Sequence, residues 1–267
     1  MAQTLNLPQR APDAPSGSSF VTSIKALGKA EREDRVFEQL SSGNVPDFLR
    51  RLVPVTVQSD DSAFTLTYFV TPDYLSIGPD TDYCLMPMTP MLAQRIADAA
   101  GCMLPTRKMV DDIYRAARLK LIPQPIPPGP AMVTAEVFAA HNDSVWHQRS
   151  AVLADFPLGT LVAGDKKDII LSNSIANNLK AGVPRPVVIY GWHRPDGTPI
   201  QPVYNGHGEG YADYSHGVRL VQRRMILNGR SVNMDSLLLD ESRCGLLSDE
   251  GAIHTLRYSR GDSVWTK

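Results

Sequence analysis

A chain of 267 residues, 43% hydrophobic and 21% charged, can bury a full core, which excludes a disordered polymer. Its formal charge of -1, with no long Lys/Arg run, offers no positive field to gather phosphates, so nucleic acid is not an expected partner. No apolar run approaches the roughly 20 residues that cross a bilayer, and the start lacks the basic-then-apolar pattern of a secretory signal; a cytoplasmic location is expected unless a leader was removed.

Residues 1–17 are rich in Pro, Ala and Ser without periodicity and predict a flexible tail, with a single domain over 18–267. Phe20, Ile24, Leu27, Phe37 and Leu40 recur at roughly helical spacing around a charged face and predict one amphipathic helix. Asn44 before "VPDFLRRL" predicts a cap, with Pro46 in the first turn. "VPVTV" and "AFTLTYFV" then read as a hairpin.

Thr89 and Pro90 open a helix, "PMLAQRIADAA", closed by Gly101, and Thr106 opens a second, "RKMVDDIYRAARLKL". The proline-rich "LIPQPIPPGPAM" at 121–132 follows as a stiff connection, and a third helical segment is expected between Thr134 and Arg149. From Gly159 onward the pattern is β: "TLVAG", "KDIILS", "PVVIYGWH", "HGVRLVQRRMIL", with turns at Asp196-Gly197 and Asn228-Gly229. The expectation is an α+β fold, with a largely antiparallel sheet in the C-terminal half and helices packed on it from the middle of the chain.

The densest chemistry lies in "YNGHGEGYADYSHGVRLV", residues 204–221. On a continuous strand, Tyr211, Asp213, Ser215 and Arg219 share a face and His216 lies on the opposite, apolar one. If residues 213–216 form a turn instead, Asp213 and His216 meet at i and i+3. Gly206, Gly208 and Gly210 alternate with polar residues and permit close backbone approach to a ligand. Loop capping and a satisfied buried histidine are the structural alternative.

"HGEGYAD" resembles the His-x-x-Gly-x-Ala-x-Asp motif of zinc peptidases of the D-Ala-D-Ala carboxypeptidase type, matching His207, Gly210, Ala212 and Asp213 with one residue missing. That deletion reverses side-chain parity on an extended segment. On chemistry alone, His207, Asp213 and His216 are suitable donors for a zinc with an open position, which lowers the pKa of a bound water to about 7. "DYSHG" resembles the nucleophile elbow of α/β hydrolases, with Ser215 as nucleophile and Asp235 or Asp240 and His254 as later partners, but Asp213 replaces the first glycine. Cys102, at a helix junction, is a further candidate nucleophile with His207 or His216 as base.

"GDKKDII" places Lys166 and Asp168 on one strand face and Lys167 on the other, and either lysine could bind a carboxylate or oxyanion. "YGWH" brings an aromatic platform, Trp192, and a titratable ring, His193, to a strand end. Tyr211, Trp192 and Arg219 are the candidate substrate contacts, and His216, Asp213, Ser215, Lys166, Lys167 and His193 the candidate catalytic set. His141 and His147 fall on different helical faces and are read as structural or surface residues. The three cysteines, Cys84, Cys102 and Cys244, are too scattered for a disulfide framework.

The phrases "GNVPDFLR", "LPTRKMVDDIY", "GDKKDII", "IYGWH", "PIQP" and "YADYSHGVRLV" resemble a bacterial family of uncharacterised proteins over roughly residues 40–260. The resemblance implies one unit across that range and no catalytic residues. The residues themselves point to a hydrolase of an amide, peptide or glycan bond, with zinc as its candidate cofactor. A non-catalytic protein binding a carbohydrate or carboxylate is the alternative. A third reading makes Tyr211 and Tyr214 part of an assembly interface.

Overall fold

The computed structural model describes residues 3–176 and 185–259, so the outermost residues of the expected tail and domain lie outside the described set. The N-terminal half runs α1 (Gly17–Ile24), α2 (Lys29–Ser41), α3 (Asp47–Arg50), β1 (Val53–Gln58), β2 (Thr65–Val70), β3 (Ser76–Ile77) and β4 (Cys84–Leu85). It continues through α4 (Pro90–Ala99), β5 (Cys102–Met103), α5 (Arg107–Ala116), β6 (Leu119–Lys120) and α6 (Ala135–Ser150). Then come β7 (Val162–Ala163), β8 (Lys167–Ile169), β9 (Pro186–His193), β10 (Pro199–Gly208), β11 (His216–Gly217) and β12 (Val221–Gln222). β13 (Arg224–Leu227), β14 (Arg230–Asn233) and α7 (Met234–Leu239) complete it.

Local signals in the sequence act where expected. The Thr89 and Thr106 hydroxyls accept from Leu92 and Met109 amides and start α4 and α5, and Thr134 starts α6 in the same way. Asn228 and Gly229 both take positive φ, 46° and 79°, the pair a two-residue primed turn requires between β13 and β14. Asn228 also accepts from Thr65 N–H and donates to Ala63 C=O, so the turn is fastened to the β1–β2 hairpin.

Two sheets carry the architecture. One follows the order β14-β13-β2-β12-β5 with β1 on β2; the other is β10-β9-β8-β11. Pairing is mostly antiparallel, with β11 on β8 and β7 on β6 parallel. β9 is buried almost throughout, which explains its unbroken apolar run, and α5, with Met109, Val110 and Ile113 buried, packs beside it. The result is a single-domain α+β fold, as the pattern predicts.

The helix expected from Phe20 to Leu40 is broken at Gly28, whose extended backbone begins α2. The break lets α1 pack toward α6 and α2 toward α4, where one rod would serve only one of them. The Asn44 side chain does not cap α3; it is buried between Gln39, Arg10 and the Pro15 carbonyl. α5 ends at Ala116 because residues 119–120 pair with β7. The strand expected over 216–227 is three strands, since the chain there leaves β8 of one sheet and joins β2 and β5 of the other.

Residues 3–17, expected as a tail, lie against the fold. Leu5 is 5% exposed within the main core, its N–H donates to Arg50 C=O, and Leu52 N–H donates to Gln3 C=O. Composition registered the prolines and missed two leucines, Leu5 and Leu7, that reach apolar neighbours. Leu5→Ala is expected to destabilise the protein by about 2 kcal/mol in urea unfolding, the low end for truncating a buried leucine. An unchanged midpoint would restore the tail.

Candidate functional site

The second sheet positions the candidate residues. His216 pairs with Lys167 across β11 and β8, and Lys167 pairs with Gly191 across β8 and β9. The preceding residues form the turn alternative: His216 N–H donates to Asp213 C=O at 3.0 Å. Asp213 Oδ1 accepts from the Ser215 amide at 2.8 Å and the Ser215 hydroxyl at 2.5 Å, and Oδ2 accepts from the Tyr211 hydroxyl at 3.0 Å. Ser215 therefore holds the carboxylate, rather than facing a histidine as an elbow nucleophile would.

His216 is fully buried, and both ring nitrogens lack a hydrogen-bond partner among the described residues. Its Nε2 stands 4.0 Å from Asp213 Oδ2. Burial pushes its pKa down to about 4, with Asp213 opposing that shift, so the imidazole is neutral at pH 7. Burial works against the Asp213 charge as well. Nearby His216, the Ser215 bonds and Lys167 outweigh it, and this carboxyl titrates below its ordinary value. His207 stacks on Tyr211 with ring centroids 3.9 Å apart, and Tyr211 meets His216 edge-on at 5.7 Å. The three residues singled out in sequence thus gather around Tyr211.

The two lysines diverge, as strand parity predicts. Lys167 is half-buried and its ammonium lies 5.0 Å from the Trp192 ring. Lys166 is buried; its ammonium donates to the Tyr214 carbonyl at 2.6 Å and faces His141 Nδ1 at 3.1 Å. Burial drives the Lys166 pKa down while Asp165 opposes the shift, and it drives the Asp165 carboxyl up. Both Asp165 oxygens lack partners among the described residues. His141, read from spacing as structural or surface, is a buried partner of Lys166, held down to about 2 by burial and by that lysine.

Trp192 and His193 separate at a backbone irregularity. Gly191 and Trp192 both take positive φ, 106° and 59°, and for tryptophan that conformation costs about 1–3 kcal/mol. Trp192 turns to Phe138 and Tyr214, whereas His193 stacks on Tyr114 and its Nε2 meets Asp111 Oδ1 at 3.0 Å. Arg219, expected at the substrate, is buried and donates to the Thr71 and Val162 carbonyls, each at 2.8 Å, with its guanidinium 4.4 Å from the Tyr74 ring. Its role in the fold is to join chain segments. Burial pushes the Cys102 thiol up to about 12, which removes the expected thiolate, and Asp235 is paired with Arg223.

Among the described residues, no group of three or more His, Cys, Asp or Glu side chains stands in metal-holding geometry, and no helix is long and apolar enough to cross a membrane. Sequence reading missed Asp111, Asp165 and Asp73. Asp111 joins His193 across 82 positions, a separation no local spacing encodes. Asp165 could have been flagged by its place inside the run "LVAGDKKDIIL", where an acid sits among strand residues.

A neutral buried histidine has a thermodynamic signature. With a folded pKa near 4 and an unfolded value of about 6.5, only the unfolded chain takes up the proton as pH falls from 6.5 toward 4, so His216 lowers stability in that window. Asp168, raised to about 6 by burial, works the other way, so the comparison must be with His216→Gln. Relative to that variant, the wild-type protein is expected to lose stability on going from pH 7 to pH 5. A pH-independent difference would contradict the assignment. Comparison with family models, curated proteins and solved structures finds no match, which leaves the site's own geometry as the guide to function.

Proposed function

We propose that this protein is a hydrolase of an amide, peptide or glycan bond, with His216 and Asp213 at its working centre. The observation that carries the reading is a fully buried imidazole with neither nitrogen engaged among the described residues, 4.0 Å from an ionised carboxylate. A purely structural histidine would have its polar atoms satisfied. An imidazole held near 4 is a weak base at rest. Bringing Asp213 into hydrogen-bond contact would raise its pKa toward neutrality, where it could take a proton from an attacking water and return it to the leaving group.

The neighbours fit supporting roles. Ser215 and Tyr211 orient Asp213, and Lys167 could steady a developing oxyanion. Trp192, beneath that ammonium, is buried against Phe138 and Tyr214 and holds the lysine from below rather than facing a ligand. Tyr211, stacked on His207, lies edge-on against His216, so a substrate would have to displace it. In the zinc version, His216 in its neutral form is a suitable ligand and His207 and Asp213 are the others, but the three would have to draw together on the ion. The half-buried Lys167 ammonium also suits the second reading, a non-catalytic receptor for a carboxylate or carbohydrate.

The test is a screen of peptide, amide and cell-wall glycan substrates with wild-type protein and His216→Ala, with circular dichroism as a fold control. Turnover is expected to fall at least about 100-fold in a folded variant, the lower bound for loss of an acid–base group. Binding without turnover in the wild-type protein would select the receptor reading. Elemental analysis of protein purified without chelator or metal resin separates the versions: near-stoichiometric zinc lost in both His207→Ala and His216→Ala selects the metal centre.

A further inference from the structure

A separate cleft opens where α5, β6, the end of β9 and the Pro195–Pro199 turn meet. Its volume is about 590 Å³, within the range of small-molecule sites, and Asp111, Tyr114, Lys120, Tyr190, His193 and Asp196 contribute to its lining. His193 is buried at its back, while the Asp111 side chain is 30% exposed at its mouth.

The side chains here form a built arrangement. Asp111 Oδ1 accepts two hydrogen bonds, from the Tyr190 hydroxyl at 2.9 Å and from His193 Nε2 at 3.0 Å. The ring of His193 is fixed between Tyr114, stacked at 4.5 Å, and Tyr190, edge-on at 5.7 Å. Burial disfavours the Asp111 charge, but the His193 and Tyr190 bonds outweigh it and keep the carboxylate ionised. All of this machinery engages Oδ1; Oδ2 has no hydrogen-bond partner among the described residues, on a side chain 30% exposed. Asp196 is arranged in the same way, with Oδ1 accepting from the Thr198 amide and hydroxyl.

The cations of the cleft complement these acids. Lys120 lies 5.2 Å from the Tyr114 ring and donates to the Ala117 carbonyl at 3.1 Å, with no carboxylate within ion-pair distance among the described residues. Arg115 also lines the cleft, but its guanidinium is paired with Asp112. The cleft therefore presents an oriented anion and an unpaired cation across one opening, a pattern that selects a ligand with both charges.

We infer that this cleft binds a small zwitterion, an amino acid or a short peptide, through its ammonium group at Asp111 Oδ2 and its carboxylate at Lys120. The inference does not depend on the hydrolase reading, because it uses none of the residues around His216. Tyr190 and His193 act as positioning residues, holding Asp111 charged through Oδ1.

The experiment is an NMR titration of the full chain, following the His193 ring and backbone amides of residues 111–120, with alanine, dialanine, alaninamide and N-acetylalanine as probes. Saturable shifts at these residues are expected for alanine or dialanine, and whichever of the two binds more tightly sets the ligand length. Alaninamide and N-acetylalanine, each lacking one charge, should bind at least about tenfold more weakly. Asp111→Asn is expected to remove the preference for a free ammonium, Lys120→Gln the preference for a free carboxylate, and His216→Ala to change neither. Absence of saturable shifts at residues 111–120 with every probe would overturn the inference, as would equal affinity for all four. Loss of binding in a folded His216→Ala would overturn the separation of this cleft from the His216 centre.

Discussion

The buried guanidinium of Arg219 is the contact on which the arrangement of the sheets depends. It donates to Thr71, where β2 ends, and to Val162 of β7, while its flat face lies on Tyr74. The Tyr74 hydroxyl in turn donates to Asp168 at 2.9 Å, next to Lys167 on β8. One side chain thus ties the end of the first sheet to the strand at the centre of the second. Burying a guanidinium is tolerable only with its donors matched and carboxylates close by; Asp73 and Asp168 supply that charge. Removing it would leave those acids buried without compensation.

The crossing segment next to Arg219 explains why the chemistry collects where it does. Residues 216–222 leave β8 and enter the first sheet, with Val218 and Leu220 carbonyls accepting from Leu75 and Thr71 amides. A side chain at Gly217 would collide with Tyr74 and the Lys166 stem, at 2.5 and 2.7 Å from its Cβ. That close passage pulls His216 into the interior. The turn at 213–216 then brings Asp213 back toward it. Among the described residues, Asp165, Asp168, His141, Trp192 and His216 each carry a buried side-chain atom without a hydrogen-bond partner.

Much of the local structure was legible because its causes are local. Threonine caps, the Asn-Gly turn, the β1–β2 hairpin and the buried run of β9 each follow from a few neighbouring residues. The Asp213–His216 proximity was legible for the same reason, since one turn is enough to create it. The division of 216–227 into three strands was hidden, because it reflects a change of sheet and not a change of pattern. Arg219 shows the same limit: its alternation marks a polar face, but its partners lie 57 and 148 positions away. The pairing of His193 with Asp111 is likewise tertiary, and only the strand end at Trp192–His193 drew attention to it.

The proposed chemistry depends on the state of one imidazole. Two-bond nitrogen–proton NMR of the His216 ring, recorded from pH 8 to pH 3.5 in the full chain, reads its protonation directly. A ring that stays neutral through pH 5 and begins to protonate only near 4 would match a buried, unpartnered group opposite Asp213. A midpoint near the ordinary histidine value of about 6.5 would mean that water reaches the ring, and would contradict the buried, unengaged imidazole that carries the proposal.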